Sequence, residues 1–270
     1  TAGLPAPSPR GCGAGAQAPC PFPRRRAFCS PNFREDMIMA STITWHGHAN
    51  FQISSPDCNL IIDPFFTGNP NSQITWKAIP RPDLVLVTHL HGDHIGDAVS
   101  ICNHTGAMLG TVVGIAEVVQ RMGLPEAQIV NGIGFNIGGT VTVKNTAVTM
   151  TQAFHTTEAG APVGYIITLA DGYTVYHAGD TGIFSSMAVW GELYDIDLAL
   201  LPMGGVFTMD ARQAALAAKM LRAKAAIPMH WGTFPALAQS TDEFAAALAK
   251  TAPGCRFISI QPGQTIDLPR

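Results

Sequence analysis

Residues 88–97 read THLHGDHIGD and follow directly on the apolar run DLVLV at 83–87. A short continuous run of apolar residues predicts a strand that is buried on both faces. The loop after this strand carries three histidines and one aspartate: His89, His91, Asp93 and His94. Neutral imidazole and carboxylate groups suit zinc and neighbouring divalent metals. The stretch therefore predicts a metal site at a strand end, because a solvated polar loop does not account for this density of ligands.

Other strand ends supply further candidate ligands. One loop cannot close two metal sites, and a metal site needs ligands that converge from several positions of the chain. Three candidates each follow an apolar, strand-like run: His155, Asp180 and His230. Asp63 ends the run NLIID before Pro64 and is a fourth polar residue at a strand end. We expect these residues to converge on the histidine-rich loop.

The folded part of the chain is predicted to be one domain at 37–270. The 270 residues are 47% hydrophobic and only 13% charged, enough for one sizeable core. Residues 1–36 are rich in Pro, Gly, Ala and Arg without a hydrophobic period, so we expect a disordered tail of upstream or added sequence. No apolar run approaches the roughly 18 to 20 residues that cross a bilayer, so no membrane association is expected.

Charge and cysteine content limit the binding partners and the cellular compartment that can be expected for this chain. The tail holds five arginines against Glu35 and Asp36, a net charge of +3, so the formal −3 of the whole chain leaves −6 on the rest. Such an acidic domain is a poor candidate for binding long nucleic acids, and a small-molecule substrate is expected instead. Cys58, Cys102 and Cys255 are scattered and odd in number, which favours reduced thiols in a cytoplasm. The sequence does not indicate the oligomeric state.

The periodicity predicts strands and helices in both halves of the chain. TITWH, NFQIS and NLIID predict short strands from Thr42 onward, and TVVGIAEVVQRMG predicts a helix that stops at Gly123. A hairpin with a two-residue turn is expected at Asp171-Gly172. In the last third, strands and helices alternate. This order predicts an α/β (α+β) fold with two packed sheets and helices outside.

The metal motif and its partners give the chain a specific resemblance. The order Asp63, then His89-x-His91-x-Asp93-His94, then His155, Asp180 and His230 resembles the metallo-β-lactamase superfamily over essentially everything after Met37. Six further stretches resemble a poorly characterised subfamily of bacterial and archaeal cytoplasmic metal-dependent hydrolases: TWHGHANF, DPFFTGN, TQAFH, YHAGDTGIFSSM, LPMGGVFTM and PMHWGTFP. The resemblance implies the metallo-β-lactamase fold, a four-layer αββα sandwich.

The resemblance also implies a dinuclear site with assigned ligands. By position, one metal ion would be held by His89, His91 and His155. The second would be held by Asp93, His94 and His230, and Asp180 would bridge the two. Asp63 would orient the loop from behind the ligands and is grouped with Asp93 as a residue that serves catalysis. Zn²⁺ is the first expectation for both ions, with Mn²⁺, Ni²⁺ and Fe²⁺ as alternatives that the same ligands accept.

The remaining histidines have less defined roles. His46 and His48 lie two residues apart, so on a regular strand their side chains share a face. Their spacing fits a contact with the metal ligands or the substrate equally as well as it fits a structural role. Alternation along YTVYHAGD favours a structural role for His177. Asp97 fits the start of a helix better than a ligand position.

The expected reaction is hydrolysis. A hydroxide held by two metal ions is a nucleophile at neutral pH, with Asp93 or a metal-bound water passing a proton to the leaving group. The resemblance implies cleavage of a small ester-like substrate, with a lactone or phosphodiester as the first expectation and promiscuous or weak β-lactamase or thioesterase activity as an alternative. A non-catalytic metal-binding scaffold and a redox relative are alternatives of another class. Gly205 and Val206 stand where relatives in the subfamily often carry a polar Asp-Asn pair, so substrate preference does not transfer directly.

Overall fold

The computed structural model describes residues 40–269, so the predicted disordered tail at 1–36 lies outside the described residues. Its thirteen strands, in chain order, are β1 (Thr42–Trp45), β2 (Phe51–Ser54), β3 (Asn59–Ile62), β4 (Leu84–Leu86), β5 (Met108–Gly110), β6 (Thr140–Val143), β7 (Thr146–Gln152), β8 (Val163–Thr168), β9 (Thr174–His177), β10 (Leu198–Pro202), β11 (Ala225–Met229), β12 (Arg256–Phe257) and β13 (Thr265–Asp267).

Six α-helices connect these strands in the described part of the chain. They are α1 (Gly92–Ile95), α2 (Ala98–Thr105), α3 (Val113–Arg121), α4 (Met187–Leu193), α5 (Ala211–Met220) and α6 (Asp242–Thr251). Short 3₁₀ turns occur at Trp76–Ala78, Glu126–Gln128 and Val130–Gly132. None of the helices between residues 40 and 269 is long and apolar enough to cross a membrane.

Two mixed sheets form the centre of the molecule. The first has the order β13-β1-β2-β3-β4-β5, in which β3, β4 and β5 are parallel and the rest antiparallel. The second has the order β12-β11-β10-β9-β8-β7-β6, in which β12 to β9 are parallel. The two sheets agree with the prediction, and each of them joins a parallel part to an antiparallel part.

The apolar runs of the sequence explain which strands are central. All residues of β4, β9, β10 and β11 are buried, as expected for strands covered on both faces. Helix α5 packs on β10 between α4 and α6, and α2 packs on β5, so helices cover both sheets. The predicted αββα sandwich is confirmed. Cys58, Cys102 and Cys255 are buried and free.

One turn differs from its prediction. The backbone N–H of Leu169 donates to the carbonyl of Tyr173, so three residues, not two, connect the strands of the β8–β9 hairpin. Gly172 has a φ of 86°, the left-handed conformation that three-residue hairpin loops place before the second strand. The Asp-Gly pair therefore marks the hairpin, but it does not fix the length of the turn.

Backbone hydrogen bonds join the two sheets at one edge. Val163 at the start of β8 donates its N–H to the carbonyl of Thr88 at 3.1 Å, just beyond β4. His230, just after β11, donates its N–H to the carbonyl of His48 at the same distance. The loop after β4 is therefore bonded to the start of β8, and the loops after β1 and β11 are bonded to each other.

Candidate metal centre

The predicted ligands and Asp63 follow five different strands and meet at this edge. Asp63 follows β3, the histidine-rich loop follows β4, and His155, Asp180 and His230 follow β7, β9 and β11. Because β3 and β4, and likewise β9, β10 and β11, run parallel, their carboxyl ends lie side by side. The chain thus brings all seven predicted ligands together, with Asp63 behind them. That they bind metal stays a prediction.

His89, His91 and His155 form the first group. His91 Nδ1 lies 3.0 Å from His89 Nε2 and 3.2 Å from His155 Nε2. One nitrogen from each ring lies within 4.8 Å of the other two, so a single ion could contact all three. Burial, reinforced by the charge of His94, lowers the pKa of His89 to about 2. His89 is therefore neutral at pH 7, the form that binds metal.

Asp93, His94 and His230 form the second group. One ligand atom of each lies within 4.8 Å of the others, and a nitrogen of His48 lies within the same distance. Asp93 and His94 are both in α1, a helix of one turn that starts directly after His91. His94 and His230 are buried, whereas the Asp93 side chain is 28% exposed. The second group is thus a buried pair of imidazoles with a carboxylate towards solvent.

Asp180 lies between the two groups. Its Oδ2 atom is 2.9 Å from His230 Nε2, 3.3 Å from His94 Nε2 and 3.7 Å from His155 Nε2. One carboxylate oxygen therefore faces histidines of both groups. Gly179 precedes it with a φ of 61°, and a Cβ there would come within 2.4 Å of the Val163 carbonyl, so only glycine permits this turn between the sheets.

Asp63 orients the loop from a fully buried position. Its Oδ1 accepts from the Thr88 N–H at 2.8 Å, and its Oδ2 accepts from the Thr88 hydroxyl and His94 Nδ1 at 2.7 Å each. Burial alone would raise the pKa of Asp63, but the charge of His94 and its hydrogen bond outweigh this and lower it. A carboxylate cannot donate, so His94 Nδ1 carries the proton and His94 Nε2 faces Asp180.

Unpaired buried atoms indicate that this donor set fits a metal ion. His94 Nε2 and Asp180 Oδ1 are buried without a hydrogen-bond partner, and buried polar atoms are normally satisfied. Burial alone would lower the pKa of His94, yet the negative charges of Asp180 and Asp63 hold it well above 6.5. The position between these carboxylates therefore favours a positive charge. Nitrogen and oxygen donors of this kind match Zn²⁺ and related divalent ions.

The expectation that His46 and His48 share a face is wrong. Strand β1 ends at Trp45, and the chain then turns through Gly47 at φ 97° and His48 at φ 58°. His48 consequently reaches the second group, with its ring centroid 4.0 Å from that of His230. His46 points elsewhere, where its Nε2 lies 3.3 Å from Gln52 Oε1 and its ring packs on Phe66.

His48 links Asp93 to Thr233. Its Nε2 lies 3.1 Å from Asp93 Oδ2 and its Nδ1 lies 2.9 Å from the Thr233 hydroxyl. Burial lowers the pKa of His48 to about 4, so its neutral ring donates to Asp93 and accepts from Thr233. Burial would raise the pKa of Asp93, but the His48 hydrogen bond and the His94 charge lower it. Asp93 is thereby held ionised in one orientation.

Two hydroxyl residues were missed by the sequence reasoning. Thr88 contacts Asp63 and, at 3.0 Å, His89 Nδ1, and Thr233 contacts His48. Each lies within three residues of a predicted ligand, in THLH and in HWGT. Ligating histidines usually hold their second ring nitrogen in a hydrogen bond, so the proximity of a polar side chain to a ligand was the available signal.

Three polar residues of the site adopt left-handed backbone conformations. His48, Asp63 and His230 have φ values of 58°, 47° and 57°, and such values are uncommon for residues other than glycine. Their side chains are buried and hold fixed partners, so the surrounding contacts maintain the local strain. Strained backbone of this kind concentrates at functional sites.

His177 and Asp97 stabilise the surrounding structure. His177 lies 2.9 Å from the Ala49 carbonyl through Nε2, and its Nδ1 accepts from the Gly179 N–H, in agreement with the structural role expected for it. Asp97 occupies the N-cap position of α2 without capping it. Its carboxylate accepts instead from Phe66 and Thr67 and fixes the loop after Asp63.

Comparison with known proteins identifies the family. The family model described as a β-lactamase superfamily domain matches residues 58–231, which include all the predicted ligands. The chain is 60% identical over 232 residues to a UPF0173 metal-dependent hydrolase of Nitratidesulfovibrio vulgaris, which covers 86% of this chain and 97% of the relative. The chain belongs to the UPF0173 family of metal-dependent hydrolases in the β-lactamase superfamily. A further UPF0173 member, from Methanopyrus kandleri, is 41% identical over 83% of this chain and 99% of its own.

Solved structures agree with the assignment to the metallo-β-lactamase superfamily. Igni18, described as a metallo hydrolase of Ignicoccus hospitalis, has a TM-score of 0.76 and 37% identity, covering 84% of this chain and 97% of its own. YhfI of Bacillus subtilis, a metallo-β-lactamase fold protein, has a TM-score of 0.66 at 17% identity, covering 84% of this chain and 99% of its own. The second likeness shows the fold alone.

Substitution of His46 and of His48 tests whether only His48 contacts the candidate metal centre. We predict that His48→Gln lowers kcat/KM by about 10- to 100-fold, the usual cost of losing a partner that orients a metal ligand. His46→Gln, the matched control, is expected to change kcat/KM by less than about twofold because His46 contacts Gln52 instead. Steady-state kinetics on the same substrate decides the point. Equal losses in both variants would contradict this placement.

Proposed function

We propose that this chain is a hydrolase with a dinuclear metal site that cleaves a small ester-like substrate, a lactone or a phosphodiester. One divalent ion is assigned to the three histidines of the first group. The second is assigned to Asp93, His94 and His230, with Asp180 shared. Zn²⁺ is the proposed ion, with Mn²⁺, Ni²⁺ or Fe²⁺ as the alternatives that these ligands accept.

The position of Asp180 carries the proposal of two ions. Its Oδ2 lies within 3.7 Å of nitrogens from His155 of the first group and from His94 and His230 of the second. A single ion would be held by only one of the two groups, and the convergence of the other group would remain unexplained. A carboxylate that is shared by two ions would explain why both groups lie on either side of Asp180.

Divalent ions bound at these residues would supply Lewis-acid polarisation and a nucleophilic water at neutral pH. Asp93 is the residue proposed to move the proton. His48 holds its Oδ2 and keeps the carboxylate ionised, so Asp93 accepts a proton from the attacking water and returns it to the leaving group. Asp63 supports the site by fixing His94 and the backbone at Thr88. It is too deeply buried to touch substrate.

A substrate panel tests this function. The purified protein, loaded in turn with Zn²⁺, Mn²⁺, Ni²⁺ or Fe²⁺, would be assayed on a lactone, a phosphodiester, a cyclic nucleotide, a thioester and a β-lactam. We expect turnover of the lactone or phosphodiester that is abolished by chelation and restored by metal. Weak turnover of the thioester or β-lactam is compatible with the same site. Absence of turnover with every ion would contradict the proposed function.

The proposed location is the cytoplasm, with a small molecule as the partner. The three cysteines of the described chain are free, as is usual in a reducing compartment. Long nucleic acids are not proposed as substrates because residues 37–270 are acidic. Fractionation of the source cells tests the location, and recovery from an exported fraction would contradict it.

A further inference from the structure

His48 lies within the second group of candidate ligands, although the resemblance to the superfamily assigns it no metal ion. One ligand atom from each of His48, Asp93, His94 and His230 lies within 4.8 Å of the other three, so four side chains face the same small space. The His48 Nδ1 atom lies 2.9 Å from the Thr233 hydroxyl, whereas Nε2 lies 3.1 Å from Asp93 Oδ2. The nitrogen of His48 that belongs to the group is therefore Nε2.

The spacing between His48 and Asp93 matches that of two ligands on one ion. Ligand atoms about 2.1 Å from an ion, at tetrahedral or octahedral angles, are about 3.0 to 3.4 Å apart. The His48 contact with Asp93, at 3.1 Å, falls in this range, as does the contact of 3.3 Å between His94 Nε2 and Asp180 Oδ2. A hydrogen bond has the same length, so the other contacts of His48 decide between the two roles.

The second ring nitrogen of His48 has the partner that a ligating histidine needs. Such a histidine almost always donates its other N–H to an acceptor, which fixes the tautomer and the direction of the ring, and the Thr233 hydroxyl oxygen can accept. This hydroxyl also lies 3.3 Å from the Trp231 carbonyl, which cannot donate. A proton on His48 Nδ1 therefore gives one continuous chain of donors through Thr233 to Trp231. With the proton on Nε2, the single hydroxyl hydrogen of Thr233 faces two acceptors.

The backbone holds His48 beside the other ligands of this group. Its carbonyl accepts from the His230 N–H at 3.1 Å and from Trp45 Nε1 at 3.0 Å. Its φ is 58°, a left-handed conformation that is uncommon for residues other than glycine, and its side chain is fully buried. The ring centroid lies 4.0 Å from that of His230 and 5.4 Å from that of His94. Strain that the surroundings maintain in this way is typical of ligand-binding sites.

Building on the proposed function, we propose that His48 Nε2 is an additional ligand of the second ion. Binding of the ion replaces the proton on Nε2, Nδ1 takes up a proton from water, and the ring stays neutral. The ion then takes over from the His48 N–H in keeping Asp93 ionised. The second ion has donors from His48, Asp93, His94, His230 and the shared Asp180, whereas the first has three histidines and Asp180. The two positions are therefore unequal, and the second is expected to bind metal more tightly.

Nitrogen NMR of cadmium-loaded protein tests this ligand directly. Protein labelled with ¹⁵N-histidine and loaded with two equivalents of ¹¹³Cd²⁺, a spectroscopic substitute for Zn²⁺, shows a metal–nitrogen coupling for every imidazole that binds an ion. We expect His48 to be coupled through Nε2 and protonated on Nδ1. The coupled imidazoles should be those of His48, His89, His91, His94, His155 and His230. Absence of coupling at His48, with its proton on Nε2, would overturn the proposal and leave the two ions of the proposed function standing.

Two matched variants assign the His48 signal. His48→Gln should remove one coupled imidazole, and His46→Gln should remove none because His46 contacts Gln52 instead. A His48→Gln spectrum that retains every coupling of the wild type would overturn the proposal. Couplings from only three imidazoles in the wild type would contradict the two ions of the proposed function. The effect of His48→Gln would then still decide whether His48 is one of the three.

Competition with a chelator measures the same contact without any activity assay. In His48→Gln, one of the two Zn²⁺ equivalents is expected to bind more than about 100-fold more weakly, so that excess Zn²⁺ still loads the variant. Thr233→Val should weaken the same equivalent by about 10- to 100-fold, the usual cost of losing the partner of a ligand, and Thr233→Ser should restore it. A loss in His48→Gln no larger than that in Thr233→Val would show that His48 only orients Asp93, which would contradict the proposal.

Discussion

Replacement of Asp180 by alanine is expected to reduce the metal content from about two equivalents per chain to one or fewer and to lower kcat/KM by at least about 1,000-fold. Asp180 Oδ2 faces nitrogens of His155, His94 and His230, so its loss removes a shared ligand from both groups at once. It also leaves those imidazoles without the negative charge that favours a cation between them. Elemental analysis and steady-state kinetics on the same preparation measure both effects.

Asp83→Ala is the matched control for this substitution. Asp83 is also an ion-paired aspartate, but it lies before β4 and contacts Lys144 and the backbone of Asn59. Its replacement should leave metal content and kcat/KM close to wild type. Retention of two equivalents of metal in Asp180→Ala would show that Asp180 is not a ligand shared by two metal ions.

Asp63→Asn is expected to destabilise the fold by about 3 to 5 kcal/mol, as is typical when one partner of a buried charged pair is removed. Asp63 is fully buried and accepts three hydrogen bonds from Thr88 and His94. An amide of the same shape has one acceptor oxygen, so at least one of these donors loses its partner. Its NH₂ group would also face donors instead of acceptors.

Guanidinium unfolding of the metal-free protein measures this loss, because bound metal would itself stabilise the folded state. Asp197→Asn is the control. Asp197 accepts from the Thr174 N–H and pairs with an exposed Lys224, and the substitution should cost less than about 1.5 kcal/mol. A similar small loss for Asp63→Asn would contradict the role of Asp63 as the residue that fixes the loop.

Much of the site could be predicted from the sequence because its ligands follow apolar strands. The run at 83–87 is continuous and the ligands after it are dense, so both the buried strand and the metal loop are visible without a structure. His155, Asp180 and His230 also follow apolar runs, so their convergence on this loop could be expected, whereas the assignment of ligands to each ion required the resemblance to a family. The order of strands and helices predicted two packed sheets, and the resemblance supplied the four-layer αββα arrangement.

The other features of the site could not be predicted, because they depend on backbone conformations and contacts that the periodicity of the sequence does not indicate. His46 and His48 separate because the chain turns through a left-handed Gly47 and a left-handed His48, which a period of two cannot represent. The roles of Thr88 and Thr233 depend on hydrogen bonds to side chains from other strands. Hydroxyl residues are common in loops, so their sequence signal is weak.

Val206 shows a partial success of the sequence reasoning. Its place in GVFTMD marked a loss of polar groups near the expected pocket, but neither its exposure nor its left-handed φ could be inferred from the letters. The structure adds the link through Thr181 that places this segment beside Asp180.

Elemental analysis of the wild-type protein, purified without chelators, tests the central claim most directly. The seven predicted ligands and the shared position of Asp180 Oδ2 predict about two equivalents of divalent metal per chain, with Zn²⁺ as the main ion. Protein that is folded but metal-free, and that takes up none when dialysed against Zn²⁺, Mn²⁺, Ni²⁺ or Fe²⁺, would contradict the account.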